Sequence, residues 1–182
     1  AHDVSTFPRD GYKMTFTDNH DKNSWEGNQY SNFGPALETC IVFAATVNGM
    51  PLVYSGQEAG LYRSLRFFDK DTIIWKNHRN EQLYTQLFDL KHKNQALWNG
   101  KYGGQMIRVY NDSQDKIISF FFFFYGKKVL PIFNFSNETV NVTLNTKFAA
   151  DTYTELFSKK TYKLQGNDPI ELPAWGYIVL YK

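Results

Sequence analysis

The chain changes character at residues 100–104, where three glycines separate two kinds of hydrophobic pattern. Before this point apolar residues recur at spacings of three and four, most clearly in 81–97, as they do on one face of a helix. After it, short runs rich in Phe, Ile, Val and Tyr alternate with turn residues, which is typical of strands. One type of secondary structure does not account for both hydrophobic patterns. The sequence therefore predicts two units, 1–100 and 101–182.

The first unit reads as strand, helix, strand, helix. The predicted elements are a short strand at 14–17, a helix at 34–47, a buried strand at 50–54 and an amphipathic helix at 81–97. A parallel strand rejoins its sheet only after a crossover helix, so this order predicts βα units of a parallel sheet. Functional groups are then expected in the loops that follow the strands.

The second unit reads as all β. Turn signals at 111–113 and 166–169 separate the predicted strands. These strands are 105–110, 116–125, 128–135, 139–144, 152–157 and 176–181. Their spacing predicts an antiparallel sandwich of roughly six to eight strands. We expect this sandwich to pack on the helix at 81–97.

Five consecutive phenylalanines, 120–124, lie in the second predicted strand of this unit. They do not alternate with polar residues, so the strand is expected to be covered on both faces. We expect the first unit to cover one of them.

Composition excludes several classes of protein. Twenty Lys and Arg stand against eighteen Asp and Glu without a long run of one sign, which argues against a nucleic-acid partner. No apolar stretch is long enough to span a membrane. Cys40 is the single cysteine, so an intrachain disulfide is excluded, and its apolar helical setting indicates a small buried side chain rather than a nucleophile.

The triplet Asn19-His20-Asp21 is the strongest chemical signal. It follows the first predicted strand and gathers an amide, an imidazole and a carboxylate, which suits binding of vicinal hydroxyl groups on a sugar. The alternative is an Asx-type turn that leaves His20 on the surface. Trp25, a few residues on, could stack on a sugar ring, and Tyr54 is read as a packed aromatic.

Further stretches occur in a fitting order: 49–58, with the spacing Gly-x-Pro-x-x-Tyr-x-Gly-x-Glu, then 89–100 and 172–180. With the triplet, they resemble the α-amylase family of retaining glycoside hydrolases. That family has a (β/α)8 TIM barrel and a C-terminal β-sandwich. The resemblance implies that 1–100 is the end of the barrel and 101–182 the sandwich. Lys91 departs from the pattern, since an arginine is expected there.

The resemblance also implies roles for single residues. Asp21 matches the aspartate that stabilises the transition state, and His20 matches the histidine that contacts the same sugar. Asn19 and Trp25 are also expected to bind substrate, on their chemistry rather than on the resemblance. Glu58 is expected to hold its loop rather than to act as the general acid. The implied activity is hydrolysis of α-glucosidic linkages in starch, glycogen or malto-oligosaccharides, with retention.

The family's nucleophile and general acid lie upstream of the Asn-His-Asp motif. A barrel needs about 250 residues, or roughly thirty per βα unit, so 1–100 can hold only the last two units. The sequence is therefore read as a fragment that is inactive alone and has the missing N-terminal barrel portion as its partner.

No cofactor is expected in this segment. Calcium is common in the family, but its usual ligands lie upstream. The resemblance favours a secreted or periplasmic location. The alternative function is that of a non-catalytic, carbohydrate-binding or interaction relative of the same fold.

Overall fold

A parallel pair of strands organises the N-terminal part of the chain. The computed structural model describes residues 11–182, so the first ten residues of the predicted barrel part lie outside the described residues. Strands β1 (Met14–Thr15) and β2 (Met50–Pro51) are parallel, with Met14 opposite Met50. Backbone hydrogen bonds extend this pairing by one residue, because the Leu52 amide donates to the Thr15 carbonyl at 2.9 Å. The predicted strands at 14–17 and 50–54 are present but shorter than expected.

Gly49 allows the two strands to approach. Its φ is +145°, and a Cβ there would lie 2.7 Å from the Lys13 carbonyl oxygen. A side chain at this position would therefore push β2 away from β1.

Four α-helices accompany this pair. They are α1 (His20–Trp25), α2 (Gln29–Phe33), α3 (Leu37–Thr46) and α4 (Arg79–Lys93). A 3-10 turn at Gly34–Ala36 precedes α3, and two more, Gln95–Leu97 and Gly100–Tyr102, follow α4. The helices predicted at 34–47 and 81–97 are thus confirmed, each with a 3-10 turn at one end. No helix within residues 11–182 is long and apolar enough to cross a membrane.

Helix α4 has the apolar face that its periodicity indicates. Leu83, Leu87 and Leu90 are buried on it. Three basic residues in its last turn suit the negative end of the helix dipole. Asn94 ends the helix, and its side chain accepts from the Ala96 amide at 3.1 Å, which starts the following 3-10 turn.

The C-terminal part is antiparallel. Its strands are β3 (Ile107–Arg108), β4 (Ile117–Phe124), β5 (Lys127–Asn134), β6 (Val140–Asn145), β7 (Asp151–Glu155), β8 (Thr161–Leu164), β9 (Asn167–Leu172) and β10 (Tyr177–Tyr181). Six of them form one sheet in the order β3-β4-β5-β10-β7-β8, and β6 and β9 form a second sheet of two strands. Side chains from both sheets share one buried cluster, so the unit is a sandwich.

The β4–β5 hairpin turns on two residues. Tyr125 and Gly126 have φ values of 43° and 84°, the left-handed conformation that tight two-residue hairpins require. Glycine adopts it at little cost, whereas Tyr125 is one of the few non-glycine residues with positive φ in the described chain.

Two details of the strand prediction were wrong. The turn expected at 166–169 is confined to Gly166, and β9 begins at Asn167. Pro169 is tolerated in β9 because, in the part of the chain that the structure describes, that strand pairs with β6 alone, so an amide is not needed on the other side. The strand Thr161–Leu164 was not predicted. The only helical segment among described residues beyond 105 is the 3-10 turn Lys147–Ala149.

The phenylalanine run is covered on both faces where it is buried. Phe120 and Phe122 belong to the cluster that includes α3 and α4, whereas Phe121 belongs to the sandwich interior. Phe123, near the end of β4, is half exposed. The expected double coverage is therefore confirmed for the first three rings.

Helix α3 makes much of the contact between the helices and the sheet. The ring of its Phe43 lies 5.3 Å from Phe133, 5.9 Å from Phe120 and 5.5 Å from Phe135, all edge-on. Leu87 of α4 joins the same cluster. We expected the contact to run through 81–97. The structure adds α3, because α3 presents the aromatic ring that meets the sheet.

Candidate active site

The candidate site lies where β1 and β2 end. Because parallel strands point the same way, their carboxyl ends meet at one edge, and the loops 16–34 and 52–78 both start there. The first loop carries the Asn-His-Asp triplet, and the second carries Glu58.

Asn19 is the N-cap of α1. Its side-chain oxygen accepts from the Lys22 amide at 2.8 Å, and its backbone is extended. The local turn named above as the alternative to a sugar site is therefore present, and it fixes the triplet rather than excluding a function. The side-chain nitrogen of Asn19, Nδ2, is thus the group of this side chain that is left for a ligand.

His20 and Asp21 stand side by side in the first turn of α1. The distance from His20 Nε2 to Asp21 Oδ1 is 3.5 Å, and the two side chains are 70% and 63% exposed. The structure thus brings together an imidazole and a carboxylate on an accessible surface. Such a pair can donate to and accept from two neighbouring hydroxyl groups.

Trp25 closes the same helix and is also exposed. Asp21 and Trp25 are four residues apart, so they share one face of α1 about one turn from each other. All four predicted site residues, Asn19, His20, Asp21 and Trp25, therefore belong to one short segment.

Asp18 is a buried carboxylate directly below this segment, and sequence reasoning missed it. It is 1% exposed, accepts from the Asn19 amide at 3.0 Å and from Asn23 Nδ2 at 2.8 Å. Burial raises the pKa of the Asp18 carboxyl, and these hydrogen bonds offset part of that rise. The one available signal was its position between an apolar strand and the triplet.

A polar network beneath the loops connects the two strand ends. Gln57 Nε2 donates to Thr17 Oγ1 at 2.9 Å and to Gln29 Oε1 at 2.6 Å. Gln57 Oε1 accepts from the Tyr54 amide at 2.7 Å, and the Gln57 carbonyl accepts from Asn80 Nδ2 at 2.8 Å. One side chain thus ties both loops and the start of α4, which fixes their relative positions.

Glu58 holds its own loop. Its Oε2 accepts from the Gly56 amide at 2.9 Å, so the carboxylate is engaged by the backbone two residues earlier. Tyr54 is half buried, and the pKa of its hydroxyl is raised by burial and then by the charge of Asp18.

The loop after Glu58 is held by an ion pair. Both terminal nitrogens of Arg63 donate hydrogen bonds to the Asp71 carboxylate, at 2.8 Å and 2.7 Å. Asp71 also accepts from the Arg66 and Thr72 amides, at 3.0 Å and 2.7 Å. The hydrogen bonds from Arg63, and then those from the two amides, hold the pKa of the Asp71 carboxyl well below its usual range. The loop is therefore closed on itself.

This loop is also bound to α1. Asn23 Oδ1 accepts from the Leu65 amide at 2.7 Å, and Ser24 Oγ donates to the Leu65 carbonyl at 3.0 Å. Asn23 therefore links Asp18 to the loop, because its Nδ2 donates to the Asp18 carboxylate while its Oδ1 accepts from the loop.

Metal ligation is not apparent here. No group of three or more His, Cys, Asp or Glu side chains within 11–182 is arranged to hold a metal ion. Cys40 lies in α3, half buried, and burial raises the pKa of its thiol, so it is held in the unreactive protonated form.

Comparison with known proteins finds likenesses to alpha-amylases. The family described as "Alpha amylase, C-terminal all-beta domain" matches residues 108–180, which cover most of the sandwich. Alpha-amylase 2 of Dictyoglomus thermophilum is 24% identical to this chain, with 82% of the chain and 26% of the relative covered.

Solved structures share the fold over almost the whole chain. A noncanonic maltogenic alpha-amylase AmyB from Thermotoga neapolitana has a TM-score of 0.82 at 23% identity, with 99% of this chain and 43% of that one covered. AmyP, solved in complex with maltose, has a TM-score of 0.72 at 14% identity, with 99% and 43% covered. At these identities the likeness concerns fold alone. The chain spans about a quarter of the curated relative and less than half of each solved chain.

Proposed function

We infer that the chain is part of a glycoside hydrolase. Two findings support this: residues 108–180 match the C-terminal all-β domain of the alpha-amylases, and nearly the whole chain has the fold of alpha-amylase structures. The proposed reaction is hydrolysis of α-glucosidic linkages in starch, glycogen or malto-oligosaccharides, with retention. The observation that carries this proposal is the exposed pair His20 and Asp21 at the carboxyl end of a parallel strand.

We propose the same division of the chain as the sequence indicates. Residues up to 100 supply the last two βα units of a (β/α)8 barrel, and 101–182 supply the sandwich. The order β1, α3, β2, α4 with a parallel β1–β2 pair supports the first part. The 3-10 turn Gly100–Tyr102 supports a boundary there, since it separates the helices from the antiparallel strands.

Asp21 is assigned the stabilisation of the transition state. Hydrogen bonds from sugar hydroxyls to its carboxylate are expected to strengthen as positive charge develops on the ring. His20, Asn19 and Trp25 are assigned to substrate binding. The maltose bound to AmyP supports a malto-oligosaccharide as the ligand.

The nucleophile and the general acid are assigned to polypeptide other than this chain. Glycoside hydrolysis requires two carboxyl groups on either side of the scissile bond. Asp18 is buried and Glu58 is bound by a backbone amide, so neither is placed to serve. The greater length of the relatives supports this assignment. We assign no metal ligand among residues 11–182, and we propose that any calcium of the whole enzyme is bound upstream of this segment.

The test is steady-state kinetics on malto-oligosaccharides of the intact protein, by which we mean this chain joined to the proposed N-terminal barrel portion. Asp21→Asn keeps the size of the side chain but removes its charge, so kcat should fall by a factor on the order of 10² to 10³. Glu58→Gln is the control and should keep near-normal kcat with lower stability. The assignment is wrong if Asp21→Asn stays within about tenfold of wild type while Glu58→Gln abolishes turnover.

Retention is tested separately. The anomer first released should have the configuration of the substrate, as followed by proton NMR during the first turnovers. Binding of malto-oligosaccharide without hydrolysis by the intact protein would instead support the non-catalytic alternative.

A further inference from the structure

Three large aromatic rings form an exposed cluster that includes Trp25, four residues after Asp21 on α1. Trp25, Phe67 and Phe68 are 63%, 44% and 84% exposed. Ring centroids are 5.4 Å apart for Trp25 and Phe67, 6.1 Å for Trp25 and Phe68, and 4.9 Å for the two phenylalanines. We name these three residues the aromatic platform. Large apolar groups gathered on a surface mark a binding site more often than single exposed ones do.

The aromatic platform is held in place by the polar contacts below it. Phe67 and Phe68 lie between Arg63 and Asp71, whose paired hydrogen bonds close the loop. The Leu65 amide and carbonyl are bound to side chains of α1, the helix that carries Trp25. The rings are thus fixed relative to α1, which is the arrangement of a pre-formed site.

Charged, exposed residues lie close to these rings in sequence. Lys22 pairs with Glu26 on α1 at 2.5 Å, and Arg66 lies 4.0 Å from Asp69 in the loop. All four of these side chains are between 47% and 74% exposed. The three rings are inclined to one another by 45° to 77°, so each offers a face of its own. An aromatic face with polar groups nearby suits a sugar, which has an apolar ring face and hydroxyl groups at its edge. A buried protein contact would favour a continuous apolar surface instead.

We propose that Phe67 and Phe68 extend the Trp25 surface so that the aromatic platform binds a glucosyl unit next to the one held by Asp21. The position of Asp21 one turn from Trp25 on α1 sets this adjacency. Phe67 and Phe68 thereby make the site specific for longer α-glucan chains. This inference rests on the function proposed above.

The test compares KM for maltotriose and maltoheptaose in the intact protein. Phe68→Leu keeps an apolar side chain but loses the flat ring, so KM for maltoheptaose should rise roughly three- to tenfold, and more than KM for maltotriose. Phe68→Tyr keeps the ring and should restore a KM near that of wild type. Phe148→Leu, at an exposed phenylalanine of the sandwich, is the matched control and should leave both KM values unchanged.

The outcomes separate this inference from the proposed function. An unchanged KM for maltoheptaose in Phe68→Leu, in an active enzyme, overturns the aromatic platform alone. A lower melting temperature without a change in KM means that the ring packs on protein, and it overturns the inference too. If wild type hydrolyses no α-glucoside, the proposed function fails. In that case, calorimetric titration measures the affinity of wild type, Phe68→Leu, Phe68→Tyr and Phe148→Leu for maltoheptaose. Equal affinity of wild type and Phe68→Leu then overturns the aromatic platform.

Discussion

At the scale of single residues, the site is built from one exposed and one buried carboxylate. Asp21 is exposed, whereas Asp18, three residues earlier, is buried and accepts from the Asn19 amide and from Asn23. The two roles follow from the environment, because a buried carboxylate that accepts several hydrogen bonds serves structure and an accessible one can serve chemistry. Asp18 is therefore a positioning residue for the triplet.

The titration of Asp18 should be visible in stability. Folding raises its pKa above the unfolded value of about 3.9. Its contribution to stability is therefore fully present below the unfolded pKa and is lost as pH rises through the folded pKa. In Asp18→Asn this loss should disappear. The unfolding free energy of wild type minus that of the variant should fall as pH rises from about 4, in chemical denaturation at a series of pH values.

Asp112→Asn is the control of opposite sign. The Thr143 amide donates to Asp112 at 3.0 Å and lowers the pKa of its carboxyl. That contribution is present above the unfolded pKa and is lost as pH falls through the folded one. A difference for Asp18→Asn that does not change with pH, or that changes as Asp112→Asn does, would contradict the assignment.

At the scale of elements, the helices and the large sheet share one buried cluster. Phe133 of β5 is fully buried, and its ring contacts Phe43 of α3, Phe120 of β4 and Phe135. Aromatic rings that meet edge-on add a small stabilisation beyond burial itself. Helix α3 therefore lies on the sheet as part of its interior rather than as a separate layer.

Loss of the Phe133 ring should destabilise both parts together. Phe133→Ala is expected to lower the unfolding free energy by about 3 to 5 kcal/mol, because it leaves a cavity in a closely packed cluster. Phe148→Ala removes the same ring at an exposed position and should cost far less. Unfolding followed by far-ultraviolet circular dichroism and by tryptophan fluorescence should stay coincident. Two separate transitions would show that the shared cluster does not couple the parts.

Sequence patterns predicted these elements where periodicity is strong. The leucines of α4 and the apolar runs of β4, β5 and β10 gave the correct kind of structure. Pattern failed at β9, because Asn167, Asp168 and Pro169 favour a turn in isolation. The structure overrides them: β9 needs pairing on one side only, and Asp168 accepts from the Gln165 and Gly166 amides at 2.7 Å and 2.9 Å.

The site was predictable only in part for the same reason. Asn19, His20 and Asp21 are adjacent in sequence, so a local motif reveals them. Phe67 and Phe68 reach Trp25 through a loop more than forty residues away, positioned by Arg63, Asp71 and Asn23. No local spacing carries that information, since it depends on long-range hydrogen bonds.

At the scale of the whole molecule, the chain joins an open parallel unit to a complete sandwich. The sandwich has its own interior between two sheets. The parallel unit, in contrast, has within residues 11–100 a sheet of two strands, each two residues long. Its stability therefore depends on packing against α3, α4 and the large sheet rather than on the hydrogen bonds between β1 and β2.

The chain by itself is expected to release no sugar from starch or small α-glucosides. A lone stabilising carboxylate cannot both protonate a leaving group and form a glycosyl intermediate. The measurement is reducing-sugar release by the purified 182-residue chain, beside its Asp21→Asn form. Turnover that Asp21→Asn abolishes would contradict the prediction. Turnover equal in both forms would identify a contaminating enzyme.

The short parallel pair has a practical consequence for reconstitution. Among residues 11–182, β1 and β2 pair only with each other, so the outer side of each presents backbone amides and carbonyls without a strand partner. Such edges accept any strand that arrives in register. In concentrated preparations we expect another copy to supply that strand, which would give self-association. Co-expressed polypeptide that supplies neighbouring strands would compete for the same edges. Under the proposed function, the chain would then serve as one half of a split enzyme, and recovered activity would report that the two halves have associated.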